Sequence, residues 1–134
     1  MDICTSVKPS ATALAQIYDN DRRIVIESDW NSSTFPPDAN VLMLTENDSE
    51  YPFGLSFAHA CADLETWLLN AARKLSVSMH CQTVYSGSPL ADAKPYHCIM
   101  FDCGKAYLAD DMETKLAGDG DRALQILRRV KELD

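Results

Sequence analysis

The chain has 134 residues, 46% of them apolar, and a formal net charge of −8 at pH 7. That is enough apolar content for one packed domain over residues 1–134 and too little length for a second, so disorder and a multidomain layout are not expected. The acidity argues against a nucleic-acid binder, since phosphate contacts need clustered positive charge, and no apolar run reaches the roughly eighteen residues of a membrane span.

The N-terminal stretch MDICTSVKPSATALAQ has no basic region followed by an apolar one. A cytoplasmic location, or export by a route without a Sec signal, is therefore expected. The five cysteines, Cys4, Cys61, Cys81, Cys98 and Cys103, are odd in number and contain no C-x-x-C pair. Free thiols in a reducing compartment are expected rather than a disulfide framework or a paired-cysteine zinc site.

Along the chain, Ser10 can cap a short helix running to about Tyr18, and RIVIE (Arg23–Glu27) reads as a strand. A proline-containing polar loop, Asn31–Asn40, leads to a short apolar strand at Val41–Leu44. Thr45–Gly54 is turn-rich, and its acidic stretch ENDSE reads as a solvated loop. Phe57, Cys61, Leu64, Leu68, Ala71 and Leu75 recur at three- and four-residue steps, which predicts a central helix over 57–75. Val77–Tyr85 is a strand candidate. Tyr96–Asp102 and Ala106–Asp110 read as a hairpin around Gly104. Ala123, Ile126, Leu127, Val130 and Leu133 predict a C-terminal helix over about 121–133. The expected fold is α+β: a central helix packed on a small, mainly antiparallel sheet, with a C-terminal helix.

The hairpin has a register that can be worked out on paper. A turn at Cys103–Gly104 pairs Phe101 with Ala106 and so places His97 opposite Asp110. Directly opposed residues share a face, with Cβ atoms roughly 4.5–5.5 Å apart. One residue more in the loop would bring Asp111 opposite His97 instead. A cysteine at the start of a helix, with a histidine base and an orienting carboxylate, is the arrangement that cysteine-dependent acyl transfer needs. Cys61, His97 and Asp110 are the candidate residues; Cys61 also lies on the apolar stripe, where the alternative is a buried thiol. His59, two residues from Cys61, would point elsewhere on a helix.

The stretches WLLNAARKLSVSMHCQTVY (Trp67–Tyr85) and HCIMFDCGKAYLAD (His97–Asp110) carry a resemblance. They resemble the helix-to-strand passage and the His-strand, Gly turn and Asp-strand of the papain-like/transglutaminase-like core. The hairpin is similar in particular to that of arylamine N-acetyltransferases, where tyrosine-leucine-x-aspartate closes it. The resemblance covers about fifty residues, Cys61 to Asp110. It implies a nucleophilic Cys61, a base at His97 and an orienting Asp110. No glycine-rich segment directly follows Asp110, and the chain is too short for an acetyltransferase's extra domain. Hydrolysis or deamidation of an amide-containing substrate, without a cofactor or metal, is thus the expected chemistry. The alternative class is a non-enzymatic acidic binder of the immunity-protein, antitoxin, inhibitor or secretion-chaperone kind, with a basic protein partner.

Overall fold

The computed structural model describes residues 1–27, 35–59 and 61–134. The first four residues of the expected loop at 31–40 lie outside these. In chain order the elements are β1 (Ile3–Thr5), α1 (Ala11–Gln16), β2 (Arg23–Glu27), β3 (Ala39–Glu46), β4 (Phe53–Ala58), α2 (Leu64–Ser78), β5 (Gln82–Tyr85), β6 (His97–Asp102), β7 (Lys105–Asp110) and β8 (Gln125–Arg129), followed by a 3₁₀ turn at Lys131–Leu133. The strands form one sheet in the order β2-β3-β4-β1-β5-β6-β7-β8. The β2–β3 pair is parallel and the other pairs are antiparallel.

The expectation of a small sheet under a central helix, with a helix at the C-terminus, is therefore corrected: the described residues form mostly a mixed eight-stranded sheet, with two helices. Two misread segments account for the difference. Phe57 belongs to β4, opposite Leu42, and Cys61 is exposed ahead of the helix. The helix starts only after Asp63, whose carboxylate accepts hydrogen bonds from the Thr66 backbone N–H (3.2 Å) and hydroxyl (2.6 Å). That side chain satisfies a backbone donor which the helix leaves open, and Glu65 sits in the first turn where the dipole favours it. The chance continuation of the stripe through Phe57 and Cys61 hid this cap.

The second misread segment is the C-terminal one. Residues 125–129 have helical spacing on paper, yet they pair with β7, with a bulge at Leu127 between the Leu108–Arg128 and Ala109–Ile126 pairs. Ile126 is 44% and Leu127 41% exposed, so half of the supposed buried face meets solvent. A short segment cannot hold a helix by itself, whereas the free edge of β7 offers it a ladder of backbone partners. Val130 is fully buried, and its N–H donates to the Ala106 carbonyl at 2.9 Å. Arg129 also donates to that carbonyl (2.9 Å) and pairs with Asp134, which fixes the chain end.

The helix capped by Ser10 forms as expected; the Ser10 hydroxyl accepts from the Ala13 N–H at 3.1 Å. The hairpin forms in the expected register, from His97–Asp110 to Asp102–Lys105. Cys103 and Gly104 turn it with φ of 48° and 90°, a two-residue turn with both residues left-handed, which glycine tolerates and which matches strand twist.

Directly opposed residues put Leu44, Leu55, Ile3, Tyr85, Ile99 and Leu108 in one row across six strands. This row faces α1 and α2 and packs with Leu14, Leu68, Ala72 and Leu75 in the main core. The Thr83 hydroxyl donates to the Ala72 carbonyl (2.7 Å), tying β5 to the helix. The opposite face carries Cys4, Val84, Cys98, Met100 and Ala109. It is covered by Tyr51 from the β3–β4 turn and by Leu116 and Leu124 from the long β7–β8 crossover.

Ile3 has no exposed surface and sits at the middle of the row. Ile3→Ala should lower the unfolding free energy by about 3 kcal/mol, read as a fall in urea midpoint. A change below about 1 kcal/mol would mean that the row does not carry the core.

Candidate functional site

The register gathers the candidate residues at one end of the sheet. The start of β2, the start of β3, the end of β4, the end of β5, the start of β6 and the end of β7 all lie there. His97 and Asp110 are cross-strand partners. Cys61 leaves the sheet beyond the end of β4, while His97 is on β6, three strand steps away, which is about 14 Å between those two strands. Among the described residues no hydrogen bond joins Cys61 to His97.

The side chains of the opposed pair have other partners. His97 Nδ1 accepts a hydrogen bond from the Lys94 N–H at 3.1 Å, in the turn that leads into β6. A neutral imidazole that accepts at Nδ1 carries its proton on Nε2, so in this state the ring is a donor at its free nitrogen. Asp110 Oδ1 accepts from Arg122 at 2.9 Å and from the Met112 N–H at 2.8 Å. The carboxylate is thus spent on the start of the crossover and on an ion pair with it. Asp111 extends the hairpin by one bond, its N–H donating to the Tyr96 carbonyl at 3.0 Å. Burial first, and then Asp110, push the Asp111 carboxyl up, while the nearby His97 pulls it back.

Beside Cys61 lies a cluster that sequence spacing did not disclose. The His59 ring stacks on Trp67 at 4.2 Å, and Tyr18 and Phe57 meet Trp67 at 5.4 and 5.3 Å. Tyr18 is 7% exposed and its hydroxyl has no hydrogen-bond partner among the described residues. Burial pushes that hydroxyl up to about 12. Next to the cluster an open cleft of about 290 Å³ is lined by Asn20, Arg22, Asn40 and His59 among others. Asn40 Nδ2 donates to Asn20 Oδ1 at 2.8 Å, so the two amides tie the segment ahead of β2 to β3.

The same end is rich in acid. Asp19 and Asp21 follow α1, and Asp63 and Glu65 open α2; all four are exposed, and none forms an ion pair among the described residues. The ENDSE stretch, expected to be a plain solvated loop, makes contacts instead. Asp48 pairs with Lys115 at 3.2 Å, and Glu50 accepts from the Leu124 N–H at 2.6 Å. Both bonds latch the crossover onto the β3–β4 turn.

Among the described residues, no three His, Cys, Asp or Glu side chains converge as a metal site requires, and no helix is long and apolar enough to cross a membrane. The chain matches no protein-family model, no curated protein and no solved structure.

The thiols separate by burial. Cys61 and Cys103 are exposed; Cys4, Cys81 and Cys98 are buried. Burial first, then the Asp111 and Asp110 carboxylates, push the Cys98 thiol up to about 12. The folded chain therefore holds this proton above the pH at which an unfolded thiol, near 8.5, releases it. The unfolded state binds fewer protons there, so stability falls as pH rises through about 9 towards 12. Cys98→Ala should flatten this fall between pH 8.5 and 10.5, where each such group contributes up to about 1.4 kcal/mol per pH unit. Denaturation midpoints across that range test it, and equal slopes for both proteins would refute it.

Proposed function

We propose that the protein is a non-enzymatic acidic binding module that docks a basic protein partner at the sheet end carrying Asp19, Asp21, Asp63 and Glu65. The observation that carries this reading is that these four carboxylates are exposed at that end and form no ion pair among the described residues, with Arg22 as the one neighbouring cation not taken up in an ion pair there. Arg23 in the same region is taken up by Asp38 at 3.7 Å. An excess of exposed acid attracts a basic surface and speeds encounter, and the attraction weakens with salt. The partner, recovered from the native host on immobilised protein, should bind at least about tenfold more weakly at 0.3 M than at 0.05 M salt. Its affinity should fall similarly for the combined Asp19→Asn, Asp21→Asn and Glu65→Gln variant and stay unchanged for Cys61→Ala. Equal binding by the charge variant, or recovery of no basic protein, would overturn the proposal.

One observation favours a second reading, a cysteine-dependent amide hydrolase or deamidase. Cys61 is an exposed thiol just ahead of α2, on the sheet end that also carries His97 and Asp110. In this chemistry Cys61 would attack a carbonyl carbon, and a ring movement that breaks the Lys94 contact would let His97 take the thiol proton. An activated thiol should react with iodoacetamide at pH 7 at least about tenfold faster in the native protein than in the unfolded chain. Equal rates would eliminate this reading and leave the binder intact.

A further inference from the structure

Two cysteines outside the candidate site face each other across neighbouring strands. The β5–β6 register ends on the pair Gln82–Asp102. One residue further the chain sets Cys81 opposite Cys103, and the Cys103 N–H donates to the Cys81 carbonyl at 3.4 Å. This single backbone hydrogen bond sets the two Cα atoms roughly 5–6 Å apart at the end of the ladder; the Cys103 backbone is left-handed there (φ 48°), so the turn and not the strand pleat directs its side chain. A disulfide spans roughly 4.4–6.8 Å between Cα atoms. The register sets no other two cysteines opposite each other: Cys4 faces Gly54 and Val84, and Cys98 faces Ala109. Cys4 and Cys98 have β5 between their strands, about 9.5 Å from β1 to β6, and Cys61 lies at the other end of the sheet from the Cys81–Cys103 pair.

We propose that Cys81 and Cys103 are a redox-active pair that closes into a reversible cross-strand disulfide when the native protein meets a low-molecular-weight disulfide such as oxidised glutathione. Exposure decides the order of events. Cys103 is exposed at the hairpin turn, and Cys81 is buried. The Cys103 thiolate attacks one sulfur of the glutathione disulfide, forms a mixed disulfide and releases one glutathione thiolate. The Cys81 thiolate then attacks the Cys103 sulfur, forms the protein disulfide and releases the second glutathione thiolate. The two protons lost by the cysteines end on the two glutathione thiols. Two protein thiols are oxidised and one disulfide is reduced, so the exchange balances and runs backwards in excess reduced glutathione.

The backbone around the pair is held in place, and closure requires the Cys81 thiol to leave its hydrogen bonds to Ser6 and Val7. Cys103 and Gly104 are fixed in the turn, and the Gly104 N–H donates to the Ser76 hydroxyl at 2.9 Å, which holds the turn against the end of α2. The Cys81 N–H is held by the Ser76 carbonyl at 3.1 Å, so Cys81 and the residue after Cys103 are anchored to the same helical residue. Burial first, opposed by hydrogen bonding to Ser6, and then the neighbouring Cys103 push the Cys81 thiol up. The second step should therefore be the slow one and should quicken as pH rises.

Native protein incubated with oxidised glutathione is expected to lose the Cys81 and Cys103 thiols together, apart from any glutathione adduct on the exposed Cys61. Chymotryptic cleavage, which cuts between the two positions, should yield one peptide containing Cys81 linked to one containing Cys103. Excess reduced glutathione should restore all five thiols. Cys103→Ser, at an exposed position, should keep the buried Cys4, Cys81 and Cys98 free under the same treatment. Retention of five thiols, arrest at a glutathione adduct on Cys103, or a bond between any other two cysteines would each overturn the proposal.

Discussion

The sheet depends on three residues, Ile3 to Thr5. On one side they pair with β4 and on the other with β5. Without them the sheet falls into two pieces, β2-β3-β4 and β5-β6-β7-β8, each with a new open edge. Ile3 also supplies the middle of the row from Leu44 to Leu108, so the floor under α2 is continuous only when β1 is in place. The pairing is non-local on both sides, because Ile3 meets Leu55 and Tyr85 far along the chain. Such contacts reward the chain only after long loops have closed, which makes insertion of β1 a late and costly step of assembly.

That constraint explains which parts of the fold were legible. The hairpin from His97 to Asp110 could be read to the residue, because one glycine turn and a period of two determine the whole ladder. The cap at Ser10 and the strand at Arg23–Glu27 were likewise local signals. β1 was not legible, since three residues cannot display a period. β4 was not legible because Gly54 and Ser56 dilute its pattern and Phe57 happens to continue the stripe of α2. In β8, QILRR has the spacing of a helix and becomes a strand through the free edge of β7, which no local window contains.

At the candidate site the same division holds. The opposition of His97 and Asp110 was a matter of register and could be foreseen. What the side chains do there was not, because their partners come from elsewhere: the Lys94 N–H from the preceding turn, and Arg122 from the far side of the crossover. The position of Cys61 followed from a helix start that Asp63 moves along by about two turns. His59, dismissed as facing away on a helix, lies in an irregular segment and stacks on Trp67.

The acidity of the chain divides in a similar way. On the β7–β8 side carboxylates are consumed by structure. Asp110 holds Arg122, Asp48 and Asp121 hold Lys115, Asp92 meets Arg128, and Asp134 meets Arg129. Lys115 and Arg122 belong to the crossover that lays Leu116 and Leu124 over Cys4, Val84 and Cys98, so its backbone needs those anchors to stay on an apolar face. Exposed pairs of this kind add little stability singly, but several on one loop restrict where it can lie. On the side of α1, β2 and the start of α2, Asp19, Asp21, Asp63 and Glu65 have no such duty beyond the cap made by Asp63. Like charge that shapes no fold and faces water costs stability through mutual repulsion. Its concentration at one sheet end is therefore the feature of this surface that most requires an explanation outside the chain.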